Sequence, residues 1–223
     1  MTPKIIFVEG NIGTGKTTFL KNLTSKKYKI QKLYEPVDEW INSGMLGKFY
    51  EDPDKYNLMF QTYCLFTRLK QYEKIDNTVD YVFIERSIYC DCNVFANMCL
   101  KTDPNKYDDY LCIYTQYSNL ITEMYNYKNH FLYLQKDPNE SLAQIQMRGR
   151  FEEEGITLEY LRELHNYHER WLNKSFVNEK TCYFNKYCKS FKSDQSIVCE
   201  GNYDVRRTDC VNTIFDEVVK ILQ

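Results

Sequence analysis

The sequence predicts an α/β fold in which a five-stranded parallel sheet lies between two layers of helices. Short apolar runs alternate with longer stretches of helical periodicity, a pattern typical of buried parallel strands joined by crossover helices. The first apolar run leads through a glycine-rich stretch into a helix. A length of 223 residues, with 43% hydrophobic and 27% charged residues, suits one globular domain, 1–223, with a small lid.

The predicted strands are short apolar runs bounded by polar or turn-forming residues. They cover residues 4–9, 29–34, 81–84, 130–134 and 196–200. Apolar residues recurring every three or four positions predict helices at 55–73, 107–127, 141–150, 158–172 and 207–222. The polar segment 173–192, rich in Tyr, Lys and Cys, is interpreted as a surface excursion within the same domain.

The charge balance favours small-molecule partners over nucleic acid or membrane, because 29 basic residues stand against 31 acidic ones. No apolar run has the length of a membrane span, and the first strand begins too early for a signal peptide. The nine cysteines lack zinc-site spacing. We therefore expect a reduced, cytoplasmic (or nuclear) protein.

Residues 10–17 read Gly-Asn-Ile-Gly-Thr-Gly-Lys-Thr, which is the spacing of a phosphate-binding P-loop. Glycines let backbone N–H groups approach phosphate oxygens, the lysine reaches the β- and γ-phosphates, and the last threonine can hold Mg²⁺. The helix that follows offers its positive dipole end to the anion. The residues predicted to bind ATP here are Gly10, Asn11, Ile12, Gly13, Thr14, Gly15, Lys16, Thr17 and Thr18.

Two acidic residues follow predicted strands. Glu35 precedes a proline at the carboxyl end of the second strand, where it faces the ligand crevice and can accept a proton from an attacking hydroxyl. Glu85 ends the third strand as in a Walker B motif, so it is predicted to approach Mg²⁺ with Thr17, while Arg86 neutralises phosphate charge. The alternatives are a solvated turn at Glu35 and a strand-end salt bridge at Glu85.

Two further groups of polar residues suggest ligand contacts. Arg148 and Arg150, beside a glycine, are predicted to form a mobile phosphate clamp in a lid at about 148–156, although a solvated charged loop is the alternative. Gln61 and Arg68 share one helix face with Cys64 or Leu65, and can read the edge of a heterocycle. The alternative for Arg68 is a simple ion pair.

His165 and His168 lie one helical turn apart, as zinc ligands can. No nearby Cys, Asp or Glu completes a site at the usual spacing, so packing and capping roles are favoured.

The motifs together resemble the deoxynucleoside kinase family, specifically the deoxycytidine and deoxyguanosine kinases. The matching strings are residues 9–17, 35–37 with Trp40, 60–63, 85–89, 148–150 with Glu152 and Glu153, and 158–161 through His165, His168 and Trp171-Leu172. Their order and spacing agree from residue 4 to about 172, and the last fifty residues agree only in outline.

The resemblance implies transfer of the ATP γ-phosphate to the 5′-hydroxyl of a deoxynucleoside, with Mg²⁺, giving a 5′-monophosphate for nucleotide salvage. By matching position, Glu35 is implied as the general base, Arg86 holds the 5′ end and Glu85 the metal, with Lys16 on the phosphates. Tyr50 and Glu153 are implied to bind the sugar 3′-hydroxyl and to leave little space for a 2′-hydroxyl.

The resemblance also implies the base pocket. Phe60 and Phe95 would sandwich the base, Trp40 and Ile12 would line the pocket, and Gln61 would bond the base edge. Arg148 and Arg150 would belong to the lid.

Arg68 and Asp91 are charged where thymidine-accepting members carry apolar residues. Asp91 only accepts hydrogen bonds and suits an exocyclic amine, whereas Arg68 only donates and suits a purine N7 or O6. We therefore expect deoxycytidine, deoxyadenosine and deoxyguanosine to be favoured over thymidine.

Two departures from the family concern the donor. Gln144 stands where the lid usually has a further arginine, and the loop near residues 200–204 is not a close match, although Tyr203 is predicted to touch the donor base. The resemblance also implies a homodimer through a helix bundle, to which the helix predicted at 107–127 either contributes or belongs as internal core.

Two other functions remain open at this stage. A nucleoside monophosphate kinase of the thymidylate kinase type would need further basic residues for the acceptor phosphate. A non-catalytic nucleotide-binding partner is the other, although Lys16, Glu35, Glu85 and Arg86 are all present.

Overall fold

The computed structural model of the chain describes residues 2–100, 103–125, 127, 129–173, 195–199 and 203–223. Five parallel strands form one sheet in the order β2-β3-β1-β4-β5. The strands are β1 (Lys4–Glu9), β2 (Ile30–Leu33), β3 (Tyr81–Glu85), β4 (Asn129–Leu134) and β5 (Gln195–Cys199). The predicted five-stranded parallel sheet is confirmed, with strand ends shifted by one residue at most.

Helices cover both faces of this sheet. They are α1 (Lys16–Asn22), α2 (Val37–Asn42), α3 (Met45–Glu51), α4 (Pro53–Tyr72), α5 (Ile88–Cys90), α6 (Asn97–Leu100), α7 (Pro104–Met124), α8 (Pro138–Arg148), α9 (Leu158–Leu172) and α10 (Thr208–Leu222). A π-helix, Asp91–Ala96, joins α5 to α6, and a 3₁₀ turn, Phe151–Glu153, follows α8. No helix in the described ranges is long and apolar enough to cross a membrane.

Alternate residues of the central strands enter different cores. On β1, Ile5 and Phe7 pack with α4, α7 and the end of α9. Ile6 and Val8 pack on the other face with α1 and α10. This period-2 alternation, apolar on both faces, is the reason that the strand sequences are continuous apolar runs. The predicted three-layer α/β/α arrangement is confirmed.

Three long helices begin earlier than the sequence pattern predicts. The predicted starts at 55, 107 and 141 are wrong by two or three residues, because α4, α7 and α8 each begin at a proline. In each case an aspartate precedes the proline, and its side chain accepts a hydrogen bond from a backbone N–H of the first turn. Proline is favoured at the first helical position, where its missing N–H costs nothing.

The same helices also end earlier than predicted. Helix α8 stops at Arg148 instead of residue 150, because Gly149 adopts a left-handed conformation with φ 64°. Helix α7 ends at Met124 and not at 127. Most of the predicted surface excursion at 173–192 lies outside the described residues, as do Gly201 and Asn202 of the predicted donor-base loop.

The short elements α2, α3 and the π-helix are absent from the sequence prediction. Helices of six or seven residues show too few turns for a periodic pattern to register. A π-helix has no sequence signature, but such segments concentrate at functional sites. These elements are the ones that form the wall of the cleft described below.

We expect the α10 side of the core to respond strongly to truncation. Phe215 is 2% exposed and contacts the rings of Tyr81 and Phe83 at centroid distances of 5.7 Å and 5.9 Å. Phe215→Ala should lower the free energy of unfolding in urea by about 3–5 kcal/mol. Ile221 on the same helix is 49% exposed, so Ile221→Ala should lower it by less than about 1 kcal/mol. Equal losses would contradict this packing.

Candidate active site

A cleft of about 510 Å³ opens at the carboxyl ends of β1, β2 and β3. The predicted site residues that line it are Ile12, Gly13, Gly15, Lys16, Thr17, Thr18, Glu35, Trp40, Tyr50, Phe60, Gln61, Arg68, Glu85, Arg86, Asp91, Phe95, Arg148, Arg150 and Glu153. Ligands bind at this position in open α/β sheets, where the chain connections leave the central strands in opposite directions.

The loop between β1 and α1 has the backbone that a P-loop requires. Gly13 and Gly15 have φ values of 81° and 91°, which are strained for other residues. A Cβ on Gly15 would also lie 2.7 Å from Cγ2 of Val205. The N-terminus of α1 begins at Lys16, so its free N–H groups and dipole point to an anion at this end of the cleft. The cradle fits the phosphates of a nucleotide.

Not every P-loop side chain faces the cleft. The Asn11 amide donates to the Leu161 carbonyl at 2.8 Å and its oxygen accepts from the Ile12 N–H at 2.8 Å. The Thr14 hydroxyl donates to the Asn11 carbonyl at 3.1 Å. Asn11 and Thr14 therefore stabilise the loop and tie it to α9, while Gly10 lies behind the cleft lining.

Lys16 is buried within the same loop. Its Nζ donates to the carbonyl oxygens of Gly10 and Asn11 at 3.0 Å and 2.7 Å. Burial and the charge of Arg86 lower the pKa of Lys16 to about 8, against the opposing effect of Glu35 and Glu85. An incoming polyphosphate would supply the negative charge that this buried ammonium lacks.

Thr17 and Glu85 meet at the phosphate end. The Thr17 hydroxyl donates to Oε1 of Glu85 at 2.6 Å, so two oxygen ligands lie side by side next to the P-loop. Mg²⁺ prefers oxygen ligands and keeps waters and phosphate oxygens in its remaining positions. This pair fits the predicted metal role.

A charge network adjoins the Thr17–Glu85 pair, because the Glu35 N–H lies 3.4 Å from Oε2 of Glu85. Oε1 of Glu35 accepts hydrogen bonds from Nη2 of Arg68 at 2.7 Å and from Nε of Arg86 at 3.0 Å. Nε of Arg68 also contacts Oδ2 of Asp91 at 2.5 Å. Burial raises the pKa of Glu35, but Arg86, Arg68 and Lys16 outweigh it and lower that pKa to about 2. Glu35 is therefore an ionised carboxylate throughout the physiological range.

Arg86 has an unusual backbone. Its φ of 63° is the one positive value for a non-glycine residue among those the structure describes. The left-handed conformation costs about 1–2 kcal/mol. Its N–H donates to the Val8 carbonyl at 3.0 Å, and its guanidinium lies 4.7 Å from the centre of the Phe95 ring. Strain of this kind persists where surrounding contacts fix it, often at functional sites.

Aromatic rings form the far wall of the cleft. Phe60 packs edge-on to Trp40 at 5.7 Å and stacks on Phe49 at 4.8 Å. Gln61 is buried one position further along α4. The cleft lining that the sequence prediction missed comprises Lys21, Val37, Leu46, Phe49, Met147 and Tyr160. Most of these belong to the unpredicted α2 and α3 or to helix ends, although Phe49 adjoins the predicted Tyr50.

The lid arginines converge on one carboxylate. Nη1 of Arg150 lies 2.8 Å from Oε1 of Glu153, and Arg148 pairs with the other oxygen of the same residue. Burial and the nearby Glu153 raise the pKa of Tyr50, so the phenol stays protonated and able to donate. The two lid arginines and the two residues predicted for the sugar hydroxyl are thus brought together.

A second cavity of about 430 Å³ adjoins the P-loop on the side away from Glu35. Its lining includes Gly13, Thr18, Lys136, Gln144 and Tyr203. The Lys136 ammonium lies 5.5 Å from the centre of the Tyr203 ring. Tyr203 therefore stands beside the P-loop, outside the main cleft.

Comparison with known proteins shows the family of the chain. The family model for deoxynucleoside kinases matches residues 6–222. A fowlpox virus protein named as a probable deoxycytidine kinase is 29% identical over 99% of this chain and 90% of its own length. The deoxycytidine kinases of mouse and human are each 30% identical over 76% of this chain and 75% of their own length. The chain belongs to the deoxynucleoside kinase family and is an ATP-dependent phosphotransferase.

We expect nucleotide affinity to fall at alkaline pH. Because the pKa of Lys16 is lowered to about 8, raising the pH through that value removes the charge that meets the phosphates. The dissociation constant for ATP, measured by calorimetry from about pH 7 to 9.5, should rise with a midpoint near the pKa. Lys16→Arg, which stays charged, should lose this dependence. A constant affinity for the unchanged protein would contradict the assignment.

Proposed function

We propose that this kinase transfers the γ-phosphate of ATP to the 5′-hydroxyl of a deoxynucleoside in cytoplasmic nucleotide salvage. Deoxycytidine, deoxyadenosine and deoxyguanosine are the favoured acceptors over thymidine. The observation that carries the proposal is the Glu35 carboxylate between Arg68 and Arg86, which faces a P-loop across one cleft. The mouse and human relatives are deoxycytidine kinases, which supports the acceptor class.

Glu35 acts as the general base for the 5′-hydroxyl. A carboxylate with a pKa of about 2 is a weak base, so it accepts the proton late, after bond formation to phosphorus has made the hydroxyl acidic. This fits phosphoryl transfer, because a loose transition state does not require a strong base and depends mainly on the positioning of the reactants. Arg86 holds the 5′ end next to that carboxylate.

Lys16 neutralises the donor phosphates, and Arg148 and Arg150 close over them from the lid. Thr17 and Glu85 are the residues that would hold Mg²⁺, which supplies charge neutralisation between the phosphates when bound. The adenine enters the second cavity beside Tyr203. Gln144 lines both cavities. It contributes to binding of the phosphate donor through hydrogen bonds, because its side chain carries no charge.

The acceptor lies between Phe60 and Phe95, with Ile12 and Trp40 at its sides and Gln61 on the base edge. Tyr50 and Glu153 bind the 3′-hydroxyl, and the tyrosine ring occupies the space that a ribose 2′-hydroxyl needs. Arg68 and Asp91 select the base. Their ion pair is buried, and such pairs cost desolvation energy that polar ligand contacts offset. The thymine methyl group would meet charge instead of an apolar surface.

The first experiment is steady-state turnover with ATP and Mg²⁺ on the four deoxynucleosides and on dTMP. Glu35→Gln should lower kcat on deoxycytidine by about 10²–10⁴-fold, because the amide cannot accept the proton. Thymidine should show the lowest kcat/KM of the four deoxynucleosides. Glu39→Gln is the control: Glu39 lies in α2 with its side chain 41% exposed and paired with Lys70, and the substitution should leave kcat unchanged.

Other outcomes would replace the proposal. Turnover of dTMP alone would indicate a nucleoside monophosphate kinase. ATP binding without turnover of any acceptor would indicate a nucleotide-binding partner. Thymidine used as well as deoxycytidine would leave the reaction in place and remove the role of Arg68 and Asp91 in selecting the base.

We also propose that two copies associate through α4 and α7. The helices run side by side in the same direction, since Lys106 reaches the Asp54 carbonyl at one end and Tyr72 contacts Tyr125 at the other. Each exposes large apolar side chains one or two turns apart. These are Met59 and Phe66 on α4 and Leu120 and Met124 on α7, each 41–54% exposed. Exposed apolar residues grouped on neighbouring helices are typical of an interface.

Light scattering during gel filtration should therefore give the mass of a dimer. The double variant Met59→Glu, Phe66→Glu should raise the dimer dissociation constant by at least about 100-fold, because each copy brings two charges to the contact. Ile221→Glu, at an exposed apolar position on α10, should leave the mass unchanged. A monomeric unchanged protein would contradict the proposal.

A further inference from the structure

A buried line of polar contacts runs from Arg86 away from the cleft. Nη1 of Arg86 donates to Sγ of Cys90 at 3.2 Å, and Sγ lies 3.6 Å from Nε2 of His168. Nδ1 of His168 lies 2.8 Å from the Leu164 carbonyl oxygen. Cys90 and His168 are both fully buried. Neither takes part in the phosphoryl transfer described above.

The chemistry of these groups fixes the tautomer of His168. The Leu164 carbonyl only accepts, so Nδ1 of His168 carries a hydrogen. Burial and the charge of Arg86 lower the pKa of His168, so the ring is neutral and Nε2 has a free lone pair. The Cys90 thiol has two acceptors within reach, Nε2 of His168 and the buried Glu9 carboxyl, and its sulfur accepts from Arg86. Every donor in the line meets an acceptor.

The far end of the line is held firmly. The His168 ring stacks on Tyr133 with an interplanar angle of 6°. The Tyr133 hydroxyl donates to Oε1 of Glu169 at 2.6 Å, which fixes the stacking partner. On the other side, the buried Glu9 carboxyl lies next to Ser87 and Cys90. The stacking on Tyr133 keeps Nε2 of His168 directed at Sγ of Cys90.

We propose that Cys90 and His168 are positioning residues that fix the plane of the Arg86 guanidinium for phosphoryl transfer. With Nε bonded to Glu35 and Nη1 to Cys90, the fork is held at two nitrogens. The inference rests on the role given to Arg86 under the proposed function. The proposal gives a role to His168, the buried member of the pair His165 and His168, because Sγ of Cys90 lies between its ring and the Arg86 guanidinium.

A double-mutant cycle tests the energetic link. Cys90→Ala should lower kcat on deoxycytidine by about tenfold with less than about a threefold change in KM, because the fork is misaligned but present. Cys90→Ser keeps a donor and an acceptor and should stay within about threefold of the unchanged kcat. In an Arg86→Lys background, which lacks the fork, Cys90→Ala should cost less than about twofold.

Equal losses from Cys90→Ala in both backgrounds would overturn the proposal, as would full kcat in a folded Cys90→Ala protein. The unchanged enzyme is assayed first. If it phosphorylates no deoxynucleoside, the proposed function fails, and the contact line is decided separately by spectroscopy.

Nitrogen NMR of the imidazole rings provides that second readout. The chain has three histidines, so single-site variants assign the signals. His168 should be neutral with its hydrogen on Nδ1, and Cys90→Ala should shift the Nε2 resonance and leave that of His165 in place. A hydrogen on Nε2, or a charged ring, would refute the line of contacts whether or not the enzyme turns over.

Discussion

One carboxylate oxygen accepts hydrogen bonds from two guanidinium groups, and the cleft is organised around that contact. Oε1 of Glu35 joins Arg68 on α4 to Arg86 at the end of β3. Asp91 balances the second positive charge from the π-helix. Two arginines and two carboxylates give a neutral group, which is the condition under which charges are tolerated in a buried position. Removing one member would leave an unpaired charge, so the network constrains α4, β3 and the π-helix together.

The same network sets the protonation of the phosphate end. Burial and repulsion by Arg86 lower the pKa of Lys16, while attraction to Arg86, Arg68 and Lys16 outweighs burial and lowers that of Glu35. The base is thereby kept ionised, while Lys16 is left short of negative charge until a polyphosphate arrives. Both pKa values are lowered, but the effects on charge are opposite: Glu35 is held in its charged form, whereas the charged form of Lys16 is disfavoured.

The sequence predicts the parts of the site that depend on local spacing. The P-loop, Glu35, Glu85 and the buried strands all follow from patterns a few residues long, and the structure has each of them. Phe49 and Leu46 were missed because α3 is too short to show periodicity. The contact between Cys90 and His168 joins positions 78 residues apart, and only the fold brings them together. The Asp-Pro pairs before three helices also mark where those helices begin, but the predicted starts follow the apolar periodicity instead.

The backbone at Arg86 shows why such distant contacts matter. A left-handed arginine is disfavoured by about 1–2 kcal/mol, so local preference alone would not keep it there. The Val8 carbonyl holds its N–H, Glu35 and Cys90 hold its side chain, and Phe95 lies against its guanidinium. Together these four contacts outweigh one unfavourable torsion. At this turn the backbone N–H of Arg86 is bonded to Val8 of β1, while its side chain reaches Glu35, which follows β2 on the other side of β3.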